Sequence, residues 1–393
     1  MNTFTYNFQK NDMKSKLQFF AFAVLFIVVS CSKFDEETEQ QDPIEHMMGK
    51  MTLQEKVCQM FILRPESICP DTSSPEATQL TDDMADFFRE YPAGGFCLYA
   101  KNIISPEQLM AFTSALHSLS PMPLLCIDEE GGRVARIANN DAFGLEKFES
   151  MTALAADGDE QKVYDASHYI GTYVSRFGFD IDFAPVADVN TNPENIVIGA
   201  RAFSDNPQTA ARMVVSYLNG LKNSGVTGCI KHFPGHGDTK NDTHTGYAAS
   251  QKTWNEMVGC EMIPFKAGIA AGTEMIMTAH IAAPNVTGSD IPSTMSSVIL
   301  QDKLRGELGY KGIIITDGME MAAITQKYTS AQAAVETVKA GADIVLLPTD
   351  YMQAVNGLLE AIEDGVLDEK RIDESVYRIL SLKQKKGLLA PML

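Results

Sequence analysis

The sequence predicts an α/β protein in which eight parallel strands alternate with helices and close into a single (β/α)8 TIM barrel. Short apolar runs recur along the chain with helical patterns between them, which is typical of parallel strands joined by crossover helices. A length of 393 residues suits one such barrel with insertions. The alternative is an open dinucleotide-binding sheet, but no Gly-x-Gly-x-x-Gly segment follows an early apolar run.

Eight apolar runs are the candidate strands of this barrel. Most of them are continuously apolar, as expected for strands buried on both faces. In chain order they are residues 57–63, 95–99, 124–128, 180–186, 228–232, 275–280, 312–317 and 343–347. The chain after residue 350 indicates helices alone, so we predict one domain over residues 45–393.

The helices predicted between these strands have recognisable ends. Residues 105–108, Ser-Pro-Glu-Gln, predict a capping box with proline at the first helical position. Residues 206–207, Asn-Pro, predict a second helix start, and Thr253 with Glu256 predicts a third. Gly341 is typical of a helix C-terminus directly before a strand.

The first thirty residues differ from the rest of the chain. Lys14 and Lys16 precede an apolar run over residues 17–29. That run is shorter than the ~20 apolar residues that a membrane-spanning helix needs. A basic start, an apolar run and a small-residue cleavage site are typical of a secretory signal peptide, which we predict over residues 1–30.

Cys31 follows this predicted signal peptide. Residues 28–31, Val-Val-Ser-Cys, resemble a lipobox, in which the cysteine becomes the lipid-modified first residue of the mature chain. Residues 31–44 are polar and acidic, which predicts a flexible tether. We therefore predict a cell-envelope protein, an outer-membrane lipoprotein that meets the membrane only through its lipid anchor. The alternative is a secreted protein with a chance cysteine at the boundary.

The net charge limits the classes of binding partner, and the cysteine pattern limits the metal sites and disulfides that the sequence allows. A net charge of −19 disfavours nucleic acid as a partner. The six cysteines after Cys31 show neither paired motifs nor metal-site spacing. Four of them fall within apolar runs and are predicted to be buried: Cys58, Cys97, Cys126 and Cys229. A disulfide stays open as an alternative, because an exported protein permits one.

Polar residues collect where the predicted strands end. Asp128, Lys231, His232, His280 and Asp317 all stand at such positions. In a (β/α)8 barrel the carboxyl ends of the strands meet at one face, and active sites form there. We therefore expect these side chains to point into one mouth.

Asp317 and the loop over residues 231–244 are the richest in reactive groups. A carboxylate at the end of a buried strand suits attack on an anomeric carbon, although it could also cap the next turn. The loop holds three of the seven histidines. Asp242 and His244 are two residues apart, so the carboxylate can orient the imidazole for general acid/base catalysis. A zinc site in this loop is the alternative, but no His-Glu-x-x-His helix supports it.

Four segments, in order, resemble one known family. Residues 231–239, Lys-His-Phe-Pro-Gly-His-Gly-Asp-Thr, followed by Asp-Thr-His at 242–244, resemble the signature of glycoside hydrolase family 3 in its β-N-acetylglucosaminidase branch. Three further segments match in the family's order: 128–136 (Asp-Glu-Glu-Gly-Gly-Arg-Val-Ala-Arg), 198–203 (Ile-Gly-Ala-Arg-Ala-Phe) and 315–321 (Ile-Thr-Asp-Gly-Met-Glu-Met). The similarity spans roughly residues 45–385.

The resemblance implies a retaining, exo-acting β-N-acetylhexosaminidase that needs neither metal nor cofactor. Asp317 would form a covalent glycosyl intermediate. His244 would protonate the leaving oxygen and then activate water, with Asp242 orienting its ring. The substrate would be a terminal N-acetylhexosamine of an oligosaccharide or glycoconjugate. The implied sugar-binding residues are Asp128, Arg136, Arg201, Lys231 and His232.

Two positions depart from the family pattern, and several alternatives stay open. Glu129 and Ala202 replace the commoner Gln and Ser, which removes no group with an implied role. The competing functions are a β-glucosidase or a phosphorylase of the same family, a metal-dependent barrel hydrolase and a catalytically inactive glycan-binding lipoprotein. Asp317, Asp242 and His244 are all present, which disfavours the last. Peptidoglycan fragments, chitin oligomers, mucin and N-glycans compete as natural glycans, and the oligomeric state is open.

Overall fold

Eight parallel strands form a closed barrel. The computed structural model of the protein describes residues 42–69 and 76–389, with positions 1 and 3. The barrel strands are β1 Phe61–Leu63, β2 Gly95–Cys97, β3 Leu124–Ile127, β4 Ile181–Asp182, β5 Thr227–Phe233, β6 Met275–Thr278, β7 Ile313–Ile315 and β8 Val345–Leu346. Neighbours pair in chain order, and β8 pairs with β1. A parallel bridge between Ile315 and Ile344 closes the ring, so the predicted fold class is confirmed.

Helices surround this barrel. The α-helices among the described residues are Pro43–Met48, Leu53–Gln59, Asp82–Glu90, Pro106–His117, Met151–Leu154, Glu160–Arg176, Pro207–Asn223, Trp254–Val258, Met262–Ala270, Pro284–Thr287, Ala322–Thr325, Ser330–Ala340, Tyr351–Glu363 and Glu369–Lys385. A π-helical segment covers Val298–Glu307, and short 3-10 helices cover Pro65–Ile68, Ala100–Asn102, Asp141–Phe143, Gly199–Arg201 and Ser293–Met295. None of the helices described is both long and apolar enough to cross a bilayer.

The predicted helix ends are largely confirmed. Thr253 and Glu256 form a full capping box, and Gly341 ends its helix with a φ of 118°. At Ser105 the prediction is half right, because its hydroxyl accepts from the backbone N–H of Gln108. The Gln108 side chain instead accepts from the backbone N–H of Ile104, one residue earlier.

The predicted first strand was wrong over residues 57–59. These residues end the helix Leu53–Gln59, and β1 begins only at Phe61. Thr52 and Glu55 form a capping box that starts this helix. The apolar run crosses the helix–strand boundary because both elements are buried, so periodicity alone could not divide it.

The N-terminal predictions fall mainly on residues that the structure does not describe. Apart from positions 1 and 3, the predicted signal peptide, Cys31 and residues 31–41 of the tether lie outside the described residues. The helix Pro43–Met48 begins two residues before the predicted domain start at residue 45. Ile44 and Met48 of this helix are buried, because they pack into the main hydrophobic core.

Five of the described cysteines are free thiols: Cys58, Cys97, Cys126, Cys229 and Cys260. Cys58, Cys97, Cys126 and Cys229 are buried as predicted, and Cys97 stands opposite Cys126 in the β2–β3 register. Burial raises the pKa of the Cys58 thiol to about 11, so this group is protonated at neutral pH. The four buried cysteines therefore behave as small apolar groups.

A buried lysine makes the stability of the fold depend on pH. The side-chain nitrogen of Lys383, on the last helix, is fully buried and donates to Gln59 Oε1 over 2.7 Å. Burial lowers its pKa from 10.5 to about 7. Between these two values the unfolded chain holds a proton that the folded protein lacks, so the stability should rise with pH in this window by up to about 1.4 kcal/mol per unit.

We expect Lys383→Met to remove this contribution. Urea unfolding at pH 7, 8 and 9 gives the free energy of unfolding at each pH. The slope of this free energy against pH should be smaller in the variant than in the unsubstituted protein. Lys370→Met, at an exposed position of the same helix, is the control and should keep the original slope. Equal slopes for Lys383→Met and the unsubstituted protein would show that Lys383 is charged in the folded state.

Candidate active site

The carboxyl ends of the barrel strands open into a cavity of about 280 Å³. Seven of the eight predicted catalytic and sugar-binding residues line it: Asp128, Arg136, Arg201, Lys231, His232, His244 and Asp317. The eighth, Asp242, contacts the His244 ring from behind. The structure therefore brings together every side chain that the sequence placed at the mouth of the barrel, apart from His280, which is buried beside it.

Asp317 follows β7 and is held by backbone contacts. Its N–H donates to the Thr278 carbonyl over 3.1 Å, and its Oδ1 accepts from the Gly318 N–H over 2.7 Å. Burial alone would raise the pKa of Asp317, but the nearby His232 and the Gly318 hydrogen bond outweigh burial and lower it. Asp317 is therefore an ionised carboxylate at neutral pH.

His280 contacts the backbone that follows this carboxylate. Its Nε2 lies 3.0 Å from the Gly318 carbonyl, and its Nδ1 lies 3.0 Å from the Thr294 hydroxyl. Burial lowers the pKa of His280, so the ring is neutral. A neutral imidazole bonded at both nitrogens fixes the backbone next to Asp317.

Asp242 and His244 form the predicted imidazole–carboxylate pair. His244 Nδ1 lies 2.9 Å from Asp242 Oδ1, which also accepts from the His244 backbone N–H over 2.8 Å. Burial acts to raise the pKa of Asp242, but its two hydrogen bonds with His244 lower it. The ionised carboxylate accepts the Nδ1 hydrogen and leaves Nε2 free. The His244 side chain is 62% exposed, so a proton can reach it from solvent.

Asp128 joins two of the predicted sugar-binding cations. Its carboxylate lies 2.8 Å from Lys231 Nζ and 3.2 Å from Arg136 Nη2. Burial acts to raise the pKa of Asp128, but Lys231 and Arg136 together lower it below its usual value. The cavity wall thus presents an ionised carboxylate between an ammonium and a guanidinium.

Glu130 lies two residues after Asp128 and was missed in the sequence. Its buried carboxylate accepts two hydrogen bonds from Arg201, over 2.9 Å and 2.7 Å, and lies 2.6 Å from Lys231 Nζ. Despite burial, the charges of Arg201 and Lys231 lower the pKa of Glu130. A signal existed: Asp128 directly precedes the short strand Glu129–Gly131, and residues two apart in an extended chain, such as Asp128 and Glu130, lie on the same face.

Asp188 was also missed, and it fixes the predicted His232. Its Oδ2 lies 2.7 Å from His232 Nδ1, and its Oδ1 accepts from the His236 N–H over 2.6 Å. Burial would raise the pKa of Asp188, but His232 lowers it. His232 Nε2 is thereby turned toward Arg201, whose Nη2 lies 3.4 Å away.

Glu129, the departure from the family pattern, acts behind the cavity. Its carboxylate accepts hydrogen bonds from the backbone N–H groups of Arg136 (2.5 Å), Ile137 (2.9 Å) and Ala138 (2.8 Å) and from the Tyr173 hydroxyl (2.8 Å). Burial raises the pKa of Glu129 even though these four donors act to lower it. The residue positions the backbone of the Arg136 segment.

One wall of the cavity contains three residues that the sequence analysis missed. Arg64 directly follows β1, Tyr99 comes two residues after β2, and Glu320 comes three residues after Asp317. The Arg64 guanidinium pairs with Glu320 and lies 4.3 Å from the centroid of the Tyr99 ring. The chain separation of these residues gives no hint of their contact.

Both ring nitrogens of the loop residue His236 contact hydroxyl groups of the same loop. Its Nδ1 lies 2.6 Å from the Thr239 hydroxyl, and its Nε2 lies 3.4 Å from the Thr243 hydroxyl. Burial lowers the pKa of His236, so its ring is neutral. Within residues 42–69 and 76–389, no group of three or more His, Cys, Asp or Glu side chains is arranged to hold a metal ion.

The fold and the site together match the architecture of a barrel glycosidase. A (β/α)8 barrel here carries an ionised carboxylate, an imidazole–carboxylate pair and charged hydrogen-bonding groups around one small cavity. The chain belongs to glycosyl hydrolase family 3, because the model of that family's N-terminal domain matches residues 52–382. The resemblance seen in the sequence is thus confirmed.

Two beta-hexosaminidases align with different shares of this chain. Beta-hexosaminidase A of Pseudoalteromonas piscicida is 32% identical over 367 residues, which cover 85% of this chain and 61% of that protein. Beta-hexosaminidase of Stenotrophomonas maltophilia (strain K279a) is 34% identical over 296 residues, which cover 74% of this chain and 86% of that protein. The chain therefore spans less than two thirds of the first relative.

A solved structure agrees with this assignment. The glycoside hydrolase family 3 beta-N-acetylglucosaminidase from Paenibacillus sp. str. FPU-7 superimposes with a TM-score of 0.80 at 34% identity. The match covers 87% of this chain and 65% of that chain. The similarity therefore extends over the whole barrel of the present protein.

Proposed function

We propose that the protein is a retaining, exo-acting β-N-acetylhexosaminidase that removes a terminal N-acetylglucosamine-type sugar. The observation that carries the proposal is the meeting of the ionised Asp317 carboxylate with the Asp242–His244 pair in one cavity. The relatives named as beta-hexosaminidases support the choice of sugar. A cavity of about 280 Å³ is small for a ligand site, which suits one sugar unit.

In the first step the Asp317 carboxylate attacks the anomeric carbon of the terminal sugar. The bonding pair of the glycosidic bond passes to the leaving oxygen, which takes a proton from His244 Nε2. A covalent glycosyl-aspartate results. In the second step His244 takes a proton from water, the water oxygen attacks the same carbon, and Asp317 leaves. Two displacements retain the configuration of the sugar.

The polar wall binds the terminal sugar before this chemistry. Asp128, Arg136, Arg201, Lys231 and His232 offer donors and acceptors to its hydroxyl and acetamido groups. Their geometry is set in advance, because Asp128 and Glu130 hold the cations and Asp188 holds His232. Groups that are already oriented lose little conformational entropy when the sugar binds. They also keep the anomeric carbon aligned with Asp317.

A comparison of two chromogenic substrates tests the proposal. The mature protein should release the aryl group faster from a β-N-acetylglucosaminide than from a β-glucoside. Preference for the glucoside would be consistent with the family mechanism, but it would favour the alternative that the protein is a β-glucosidase. No release from either substrate would favour the glycan-binding alternative.

The same assay in phosphate buffer distinguishes hydrolysis from phosphorolysis. The 62% exposed His244 ring leaves its Nε2 open to acceptors other than water. A neutral imidazole also repels an anionic acceptor less than a carboxylate does. These two features would let phosphate compete, but the proposed second step uses water, so we expect free N-acetylglucosamine as the product at every phosphate concentration. A yield of sugar 1-phosphate that increases with the phosphate concentration would show that the protein is a phosphorylase rather than a hydrolase.

Glu130→Gln should lower kcat/KM by about 10- to 100-fold. The variant removes the charge that Arg201 and Lys231 share, and hydrogen bonds to charged groups contribute about 1.5–3 kcal/mol. Most of the loss should appear in KM, because Glu130 orients binding groups rather than reacting atoms. Glu363→Gln, at an exposed position far along the chain, is the control. An unchanged KM in Glu130→Gln would show that Glu130 does not orient the sugar-binding groups.

We also propose that the enzyme is anchored in the cell envelope through a lipid on Cys31. The support is the sequence alone: the apolar run, the lipobox-like segment before Cys31 and the acidic tether. Cells fed an alkyne-tagged fatty acid should label the protein, and Cys31→Ser should abolish the label. Labelling that persists in Cys31→Ser would contradict the anchor.

A further inference from the structure

Two guanidinium–carboxylate pairs meet at the ring of Tyr99. Arg136, paired with Asp128, places its guanidinium carbon 5.2 Å from the ring centroid. Arg64, paired with Glu320, places its own 4.3 Å from the same centroid. All five side chains line the cavity. The proposed function uses only the Asp128–Arg136 pair.

The Arg64–Glu320 pair is open to a ligand. The side chains of Arg64 and Glu320 are 26% and 37% exposed, whereas that of Asp128 is 15% exposed. Glu320 comes three residues after Asp317, and three residues of chain span at most about 11 Å. Because Arg64, Asp317 and Glu320 line one cavity, substituents of a sugar whose anomeric carbon lies at Asp317 can reach this pair.

The pair also sets the charge of the cavity. Four carboxylates and four Arg or Lys side chains line it, so these charges balance. Glu320 contributes one of the four negative charges and engages the Arg64 guanidinium. Without Glu320 the wall would carry one excess positive charge on a guanidinium free to bind an anion.

We propose that Glu320 is a specificity-determining residue: paired with Arg64, it accepts a hydrogen bond from a hydroxyl of the terminal sugar and rejects sugars that carry an anionic substituent there. The proposal rests on the hexosaminidase function and names its substrate class, neutral terminal sugars. A hydroxyl can donate to the Glu320 carboxylate. A sulfate ester cannot donate, meets a like charge, and finds Arg64 already engaged.

A merely structural role for the pair predicts something different. A partly exposed ion pair contributes little to stability, and its loss would change the turnover of neutral and anionic sugars by the same factor. A specificity role changes the ratio between the two substrates. The ratio is therefore the decisive quantity.

The test compares aryl β-N-acetylglucosaminides that are unsubstituted or sulfated at O3, O4 or O6. For Glu320→Gln we expect kcat/KM of at least one sulfated substrate, relative to the unsubstituted one, to rise by about tenfold or more over the unsubstituted protein. Raising the salt concentration should shrink this gain, because it arises from charge. Glu363→Gln removes an exposed carboxylate elsewhere and should leave the ratio unchanged.

A double variant identifies the source of the gain. Arg64→Met in the Glu320→Gln background should abolish it, because the freed guanidinium is gone. A gain that survives in the double variant would overturn the role of Arg64. A ratio within twofold of the starting value for all three sulfated isomers would overturn the role of Glu320.

Equilibrium binding separates this inference from the proposed function. Free N-acetylglucosamine and its sulfate esters are titrated into the unsubstituted protein and Glu320→Gln by calorimetry. We expect at least one sulfate ester to bind the variant about tenfold more tightly than the unsubstituted protein. Equal affinities of every sulfate ester for both proteins would refute the inference even where hydrolysis is observed. Absence of hydrolysis by the unsubstituted protein would refute the proposed function.

Discussion

Asp317→Asn is expected to lower kcat/KM on the chromogenic β-N-acetylglucosaminide by about 10³-fold or more. An amide cannot supply the nucleophile that forms the covalent intermediate, and loss of a nucleophile removes stabilisation present only in the transition state. The exchange keeps the shape of the side chain, and its oxygen can still accept from the Gly318 N–H. KM should therefore change far less than kcat, as steady-state kinetics would show.

Binding of free N-acetylglucosamine provides the control for this variant. Asp317→Asn should bind the sugar within a few fold of the unsubstituted protein, because Asp128, Arg136 and Lys231 are untouched. An activity loss of less than tenfold would show that another group is the nucleophile. Equal losses of binding and turnover would show that the substitution disrupts the site as a whole.

Asp343→Asn is expected to produce the largest loss of stability. The Asp343 carboxylate stands two residues before β8, with 0% of its side chain exposed. It lies 2.6 Å from Arg305, 2.9 Å from Arg378 and 3.5 Å from Arg371. Removing one partner of buried ions leaves uncompensated charge, which typically costs about 3–5 kcal/mol.

Further contacts of Asp343 make this loss larger. The Ile314 N–H donates to the carboxylate over 2.9 Å, and the Ser375 hydroxyl donates over 2.8 Å. The residue therefore ties β7, β8 and the last helix together where the barrel closes. Urea unfolding followed by circular dichroism measures the effect, and Asp364→Asn, at an exposed position, is the control. A loss below 1 kcal/mol for Asp343→Asn would contradict this account.

The barrel could be predicted because each strand is a buried apolar run bounded by polar or glycine residues. This signal located all eight strands, and the carboxyl ends of the runs located Asp128, Lys231, His232 and Asp317. It failed at residues 57–59, where a buried helix passes directly into a buried strand. Local capping by Thr52 and Glu55 was the better guide there, because it depends on adjacent residues only.

The supporting residues of the site could not be predicted in the same way. Asp188 acts on a histidine 44 residues later, and Arg64 pairs with a carboxylate 256 residues later. Such contacts depend on which loops the closed barrel brings together, and a single sequence carries no record of that. Glu130 is the exception, because its spacing of two residues from Asp128 was visible in the sequence.

The central claim is that Asp317 forms a covalent bond with the terminal sugar. A 5-fluoro N-acetylglucosaminyl fluoride tests it most directly, because the fluorine slows both steps while the fluoride leaving group keeps the first one fast. Mass spectrometry of the digested protein should show one added fluoro-sugar on the peptide that contains Asp317, with no adduct in Asp317→Asn. An adduct on another peptide, or steady turnover without any adduct, would contradict the mechanism.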